Sequence, residues 1–291
     1  MAEQVGIAFA FAYIGDAFHG SQIQPEIRTV QRDLLTAFYK AKFAGKTPEL
    51  RLSSRTDGGV NARMNVGRCI VEKAVWEKMG EKRFLRAVND HLDDAIIWAA
   101  TETAVDWNPR IAERRVYRYR FEALLQFTNT YDEKQMLEAM KLFEGAHDFT
   151  GFSRPETGRM TKRKVDYCTP WYIDGRLVGF EIAAQSFLWN QVRRIAWTLG
   201  CIAIGDCTLE DIRVALETGE EPPMYGLGMA NWLTLWRIDY ENLTFTENTD
   251  DLFSQLEAPP EGLSIRQFEL WQQSADFQQK QLLISSWLPV L

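Results

Sequence analysis

The sequence contains few of the residues that build metal sites or disulfide-stabilised folds. Its 291 residues include three histidines and four cysteines, and no two cysteines have the C-x-x-C spacing. Neither a structural zinc site nor a disulfide scaffold is therefore expected. The simpler interpretation is that Cys69, Cys168, Cys201 and Cys207 are buried thiols in a reducing compartment.

Long apolar segments are also missing. No apolar run approaches the roughly 20 residues that a membrane-spanning helix needs. Met1 to Gln4 lack the basic start of a secretory signal, and the apolar stretch that follows, residues 5–13, is short and strand-like. We therefore expect a cytoplasmic protein without a membrane segment.

Positive charge is in deficit overall, but the deficit is confined to one part of the chain. The 33 Lys and Arg residues against 40 Asp and Glu residues give a net charge of −7. Such a total argues against a surface coated with positive charge for non-specific binding to nucleic acid or anionic membrane. However, residues 239–291 contain nine acidic residues and two basic ones, so they supply the whole −7 and residues 1–238 are neutral.

Strand and helix patterns alternate irregularly in both halves of the chain. Strands are predicted at 5–13, 66–71, 96–100, 115–121, 165–173, 177–183 and 233–240. Helices are predicted from an N-cap at Thr29, around 81–91, from Asp132 and over 187–204. An Asp174-Gly175 turn joins two of the strands as a hairpin. This mixture favours an α+β fold in which two mixed α/β domains share a central, mostly antiparallel sheet.

Two changes in composition suggest where the domains meet. The turn-prone run Asp106 to Pro109 predicts a boundary, which gives domains at 1–105 and 106–240. Residues 241–291 form an acidic C-terminal extension with a predicted amphipathic helix from Ser264. We expect this extension to dock on the rest of the protein, and the alternative is that it binds a partner or contributes to a dimer.

The densest chemical signal is the run from Ser53 to Ala62. Asp57 lies between Thr56 and two glycines, on a loop in which Arg55 supplies a positive charge. Glycines let such a loop turn tightly or approach a ligand closely. The functional hypothesis is a carboxylate presented to a substrate, and the alternative is an ordinary Asp-Gly turn.

Three further segments concentrate positive charge, and two of them, residues 110–120 and 186–195, also contain aromatic residues. Residues 110–120 and 154–164 each have a net charge of +4, and residues 186–195 place Arg193 and Arg194 in an apolar helix. Arginine for phosphate and tyrosine for base stacking are the combination that holds unpaired nucleotides. The alternatives are a core-facing strand with arginines outside, a solvated charge run, and arginines whose head groups reach the surface.

Taken together, these segments resemble the TruA-type tRNA pseudouridine synthase family. The similar segments are Tyr13-x-Gly15-Asp16-x-Phe18-x-Gly20, Arg55-Thr56-Asp57-x-Gly59-Val60-x-Ala62, Asn89-x-x-Leu92-x-Asp94-x-Ile96, Arg110-x-Ala112-x-x-Arg115-x-Tyr117-x-Tyr119, His147-Asp148-Phe149-x-x-Phe152, Phe187-Leu188-x-x-x-Val192-Arg193 and Leu233-x-Leu235. The resemblance covers about residues 5–240. The family usually has Ala at Gly58, His at Asn61 and Gly near Trp232, so this sequence departs from it there.

The resemblance implies a function and a set of site residues. Asp57 would be the catalytic carboxylate, Tyr117 would stack on the target uridine and Arg193 would pair with Asp57 in a basic cleft between the domains. Substrate contacts would come from Arg55, Thr56, Arg110, Arg115, Lys162 and Arg163. It also implies a homodimer that acts on the anticodon stem-loop of tRNA, at positions 38 to 40, with no cofactor and no metal.

Three other interpretations compete with this one. Glycoside hydrolysis would need a second carboxylate near Asp57, and no other segment with a catalytic pattern carries one. A non-catalytic RNA-binding protein would not need Asp57 in its intact Arg-Thr-Asp context. The third alternative is the same chemistry at another uridine or in another RNA, which no motif excludes.

Overall fold

The computed structural model describes residues 3–42, 49–124, 131–245 and 252–290. Within these ranges the chain forms nine β-strands and six α-helices. It divides into two compact units. The first unit comprises Met1–Glu113, Leu235–Leu252 and Lys280–Leu291, and the second comprises Arg114–Thr234 and Phe253–Gln279.

The first unit is built around a long N-terminal strand. Its elements are β1 (Gln4–Tyr13), α1 (Val30–Lys40), β2 (Leu50–Leu52), β3 (Asn61–Glu72), α2 (Lys73–Asn89) and β4 (Ala95–Thr103). Strand β1 pairs antiparallel with both β3 and β4, and β2 pairs antiparallel with β3. The core contains the rings of Phe9, Phe38 and Phe84, whose centroids are 5.3 to 5.8 Å apart along the series. These strands fix the two loops that carry Gly15 and Asp57.

The second unit has an antiparallel sheet in the order β5-β8-β7-β6. Its elements are β5 (Arg114–Tyr119), α3 (Glu133–Leu142), β6 (Gly145–Asp148), β7 (Lys162–Ile173), β8 (Arg176–Ala184), α4 (Gln191–Ala203) and α5 (Leu209–Thr218). Asp174 and Gly175 both have positive φ, 50° and 76°, which is the turn geometry that an Asp-Gly hairpin requires. Two elements contribute residues to both units: β9 (Leu233–Asp239) and α6 (Ile265–Ser285).

The predicted fold class, α+β with mostly antiparallel strands, is confirmed by this pattern. Some element bounds differ from the prediction. The helix predicted over 187–204 begins at Gln191, because Asn190 has a left-handed backbone with φ of 65°. The helix predicted around 81–91 is the second half of α2, which contains a non-helical Gly80. The sequence prediction missed β2, β6 and α5.

All four cysteines are buried and unbridged, as the sequence predicts. Burial raises the pKa of Cys69 to about 12 and that of Cys201 to about 11. The pKa values of Cys168 and Cys207 are also raised, mainly by burial. These thiols are therefore protonated near neutral pH.

The described residues contain neither a membrane-spanning helix nor a cluster of metal-ligating side chains. No described helix is long and apolar enough to span a bilayer. No group of three or more His, Cys, Asp or Glu side chains in the described ranges has the arrangement of a metal site.

The C-terminal extension supplies hydrogen bonds to a buried arginine of the second unit. Arg120 is fully buried, and its guanidinium bonds to Glu122 Oε1 at 2.6 Å, to the carbonyl oxygen of Glu257 at 2.9 Å and to that of Ala275 at 3.2 Å. Its Cζ atom lies 5.4 Å from the ring centroid of Trp271. The extension is therefore part of the packed structure, and the prediction of a helix there is met by α6.

We expect Arg120→Met to destabilise the protein strongly. The substitution keeps most of the side-chain volume but leaves buried carbonyl oxygens without donors and removes a partner of the buried Glu122, and breaking a buried pair in this way costs about 3 kcal/mol. Urea unfolding followed by circular dichroism measures the effect. Arg266→Met is the matched control, because Arg266 lies on the exposed face of the same extension and pairs with Glu269 there. Equal stability of the two variants would contradict the structural role of Arg120.

Candidate active site

Asp57 lies on the loop between β2 and β3. The backbone N–H of Val60 donates to the carbonyl oxygen of Asp57 at 3.3 Å, and Gly59 has a positive φ of 82°. This turn is one that glycine adopts without strain. Asp57 itself is half-buried, and Arg55 beside it is exposed. The loop thus presents a carboxylate and a guanidinium at the surface of the first unit.

The short segment after β1 supports this loop from one side. The N–H of Gly15 donates to Asn61 Oδ1 at 2.9 Å, and the N–H of Gly59 donates to the carbonyl oxygen of Gly15 at 3.3 Å. A Cβ atom on Gly15 would lie 2.4 Å from the carbonyl carbon of Gly59, so no side chain fits there. Asn61, which stands where the family usually has His, is fully buried and helps to position the loop.

Ser21 and Tyr13 hold the loop at Thr56. The N–H of Ser21 donates to the carbonyl oxygen of Thr56 at 3.1 Å, and the N–H of Thr56 donates to Ser21 Oγ at 2.8 Å. The Tyr13 hydroxyl lies 2.7 Å from Thr56 Oγ1. Burial raises the pKa of Tyr13 to about 12, so this hydroxyl is neutral at pH 7. Hydrogen bonds to both its backbone and its side chain therefore fix Thr56, the residue before Asp57.

Asn65 is a positioning residue that the sequence analysis missed. It is fully buried in β3, and its Oδ1 accepts from the N–H of Ser54 at 3.3 Å while its Nδ2 donates to the Ser54 carbonyl oxygen at 3.0 Å. One side chain thus satisfies both backbone groups of a loop residue. The signal available in the sequence was a polar residue within a mostly apolar strand, because a buried amide needs partners.

In the second unit, the tyrosines of β5 have different surroundings. Tyr119 is fully buried and stacks on Phe180 with ring centroids 5.9 Å apart. Tyr117 is 7% exposed and meets the ring of Phe187 edge-on at 5.3 Å. Tyr119 is therefore a core residue, as one alternative for this strand predicted, whereas the role of Tyr117 stays a prediction.

Arg193 lies on α4 and is hydrogen-bonded to the loop that contains Gly228, a residue that was not predicted to belong to the site. Its Nε donates to the carbonyl oxygen of Gly228 at 2.7 Å, and the N–H of Gly228 donates to the Arg193 carbonyl oxygen at 3.0 Å. A Cβ atom on Gly228 would lie 2.6 Å from the Tyr119 hydroxyl. Arg193 is thus held in a defined position within the second unit. Asp57 belongs to the first unit, and the expected pairing of the two stays a prediction.

Most of the arginines in residues 110–120 form ion pairs or hydrogen bonds with other residues of the protein. Arg114 pairs with Asp166 at 3.3 Å and Arg118 with Glu181 at 2.8 Å, and Arg120 is buried as described above. Arg115 is 8% exposed and donates to the carbonyl oxygen of Gln185. Of the five arginines in this segment, Arg110 and Arg114 have exposed side chains, and Arg114 is the one of these two that pairs with Asp166.

The other predicted contact residues lie at the start of β7. Lys162 is exposed, and Arg163 is half-buried and donates to the carbonyl oxygens of Met160 and Lys162. Burial lowers the pKa of Arg163. Lys162 is therefore the more accessible of the two for a phosphate.

Comparison with known proteins defines the class. A family model described as tRNA pseudouridine synthase matches residues 139–241. A tRNA pseudouridine synthase A of Pyrococcus furiosus is 35% identical over 245 residues, which cover 82% of this chain and 85% of that protein. A tRNA pseudouridine synthase A of Methanosarcina acetivorans is 34% identical over 253 residues, covering 83% and 87%. The class is thus the pseudouridine synthases, which are isomerases. More narrowly, the chain belongs to the tRNA pseudouridine synthase A family.

One relative also bears on the C-terminal extension. A tRNA pseudouridine synthase A of Archaeoglobus fulgidus is 31% identical over 281 residues, which cover 92% of this chain and 97% of that protein. That share is larger than residues 1–240 can supply, so the similarity continues into the extension. The expectation that the extension lies wholly outside the resemblance is therefore wrong.

Proposed function

We propose that this chain converts uridine to pseudouridine in the anticodon stem-loop of tRNA, at positions 38 to 40. The observation that carries the proposal is the Asp57 loop. Its sequence resembles the catalytic loop of the family, and Gly15, Ser21 and Asn65 form hydrogen bonds that hold its backbone in place. A carboxylate held in place in this way suits covalent catalysis, which depends on orientation.

The reaction needs no oxidant and no water. The C1′–N1 glycosidic bond of the uridine breaks, the uracil turns, and C5 bonds to C1′ while the proton on C5 leaves and N1 is protonated. In this proposal the Asp57 carboxylate attacks either C1′ or the uracil ring and is released unchanged when the product forms. Both routes require an ionised carboxylate in a fixed position.

Tyr117 and Arg193 have complementary roles in the proposal. The Tyr117 ring is set edge-on against Phe187, and it stacks on the target base and assists removal of the C5 proton. Arg193, which Gly228 positions, pairs with Asp57 and orients its carboxylate toward the target uridine.

The target uridine must leave its stack, which costs a few kcal/mol. Phosphate contacts from Arg55, Arg110 and Lys162, all of which are exposed, offset that cost. Because these contacts join basic side chains to phosphates, the affinity for tRNA should fall steeply as the salt concentration rises. We also propose that the enzyme is cytoplasmic and that it works as a homodimer. Analytical ultracentrifugation of the purified chain tests the oligomeric state.

The release of tritium from tRNA labelled with [5-³H]uridine tests the function directly. We expect release from an unmodified tRNA transcript and little from a matched transcript with cytidine at positions 38 to 40. Equal release from both transcripts would overturn the proposed positions but not the chemistry. Absence of release from the transcript and from bulk unmodified tRNA would overturn the function.

Arg193→Glu is expected to abolish tritium release. The substitution would place a negative charge where the proposal needs a positive one, so residue 193 would repel the Asp57 carboxylate instead of pairing with it. Arg213→Glu, an exposed change on α5 of the same unit, is the matched control and should leave turnover unchanged. A melting curve followed by circular dichroism shows whether losing the Gly228 contact has destabilised the variant, and so separates that effect from loss of the pairing with Asp57. Normal turnover by Arg193→Glu would rule out the pairing.

A further inference from the structure

An arginine covers an exposed indole at the start of α4. The Cζ atom of Arg154 lies 4.0 Å from the ring centroid of Trp189, and the N–H of Arg154 donates to the Trp189 carbonyl oxygen at 2.8 Å. Trp189 is 39% exposed, although Leu188 beside it is buried. The pair is therefore fixed by a backbone bond and still accessible to a ligand.

A second arginine–aromatic pair lies next to the first. The Cζ atom of Arg194 is 3.7 Å from the ring centroid of Tyr225, and the Tyr225 hydroxyl donates to the carbonyl oxygen of Ser153 at 3.4 Å. Ser153 immediately precedes Arg154, and Arg194 lies one turn into the helix that follows Trp189. The two pairs thus form one surface, which we call the stacking platform (Arg154, Trp189, Arg194 and Tyr225).

The electrostatics of the stacking platform favour an anionic ligand. The pKa of Arg194 is lowered mainly by burial; interactions with Tyr225 and Glu221 raise it, and the positive charges of Arg193 and Arg154 lower it by a smaller amount. Arg194 therefore lies near two other guanidinium groups and one carboxylate, Glu221. With three arginines against one glutamate, the local charge is positive and attracts a phosphate.

The backbone at this place has an uncommon conformation. Asn190, between Trp189 and α4, is left-handed with φ of 65°. Asparagine tolerates this conformation better than most residues, and such conformations concentrate at sites that bind ligands. Next to this residue, Leu188 is buried and Trp189 is exposed.

We propose that the stacking platform binds an unpaired nucleotide of the RNA substrate, whose base stacks on Trp189 and whose phosphate contacts Arg154 and Arg194. The proposal rests on the proposed function, because it takes RNA as the substrate. Indole and guanidinium faces stack on any base, so the platform adds affinity without selecting a sequence. It recognises the unpaired state of a nucleotide near the target uridine.

Trp189→Ala and Trp189→Phe test the proposal. Removing one stacking ring should weaken binding to an unmodified stem-loop about tenfold, with a matching rise in KM and little change in kcat for tritium release. Trp189→Phe should restore most of the affinity. Phe277→Ala, which removes a 70% exposed ring from the extension of the same unit, should change neither quantity. Fluorescence anisotropy of a labelled stem-loop measures the dissociation constant.

A fully paired RNA duplex of equal length shows whether the platform reads unpaired bases. Trp189→Ala should bind this duplex as the unsubstituted protein does, and Arg154→Ala should lower the salt dependence of stem-loop binding by about one unit in the logarithmic slope. Equal affinity of Trp189→Ala and the unsubstituted protein for the stem-loop would overturn the proposal. So would an equal loss on the duplex, or a change of oligomeric state that marks Trp189 as a contact between two copies.

The binding assay does not depend on catalysis. If the unsubstituted protein releases no tritium from any tRNA, the proposed function fails. The stem-loop affinities of the Trp189 variants then still decide whether the platform binds unpaired RNA. Failure of one proposal is thus distinguishable from failure of the other.

Discussion

Asp57→Ala is expected to abolish pseudouridine formation while leaving the affinity for tRNA within about tenfold, because the proposed chemistry needs the carboxylate whereas binding rests on contacts elsewhere. The loop should survive the change. Its turn is closed by the Asp57 carbonyl oxygen, and its supports at Gly15, Ser21 and Asn65 do not involve the Asp57 carboxylate. Tritium release from [5-³H]uridine-labelled tRNA measures the chemistry, and a filter-binding assay measures the affinity.

Asp93→Ala provides the matched control, because Asp93 is an exposed carboxylate of the same unit. It should leave both quantities unchanged. Asp57→Asn, which keeps the shape of the side chain and removes its charge, should be as inactive as Asp57→Ala. Persistent release of tritium by either Asp57 variant would remove Asp57 from the mechanism.

Gly15→Ala is expected to lower kcat by about a hundredfold, the usual cost of displacing a catalytic group by about 1 Å. The added Cβ atom would lie 2.4 Å from the carbonyl carbon of Gly59 and 2.5 Å from that of Val60. Both atoms belong to the backbone of the Asp57 loop, so the loop itself must move. Steady-state tritium release, together with a melting curve that confirms folding, measures the effect.

Gly58→Ala is the control for that experiment. A Cβ atom there would lie 3.4 Å from the backbone of His19, and the family usually has alanine at this position. We therefore expect nearly normal turnover. If Gly15→Ala turned over as fast as Gly58→Ala, the close contact between the two loops would not be what positions Asp57.

The parts of the fold that the sequence predicted are those that depend on neighbours in the chain. Asp132 caps α3 through the N–H of Gln135, three residues away, and the Asp174-Gly175 hairpin depends on two adjacent residues. The α5 helix carries an equally local signal, the capping box of Thr208 and Asp211, but it was not predicted. The two units could not be predicted locally, because distant segments such as 235–252 complete the first of them.

The same distinction applies to the candidate site. Asp57 could be proposed from the sequence because its motif occupies consecutive residues. The carboxylates that use the arginines of β5 could not be assigned from the sequence, since Asp166 and Glu181 lie 52 and 63 residues away from Arg114 and Arg118. The role of Gly228 in positioning Arg193 likewise joins residues 35 positions apart. A net charge counted along a segment therefore overstated the charge that this strand offers to RNA.

The buried thiols can be used to measure local opening of the protein. Alkylating reagents attack the thiolate, and a buried, protonated thiol reacts only when the structure around it opens. Cys69 belongs to the first unit and Cys168 to the second. The alkylation rates of these two cysteines, followed by mass spectrometry of the digested protein, therefore report separately how often each unit opens under native conditions.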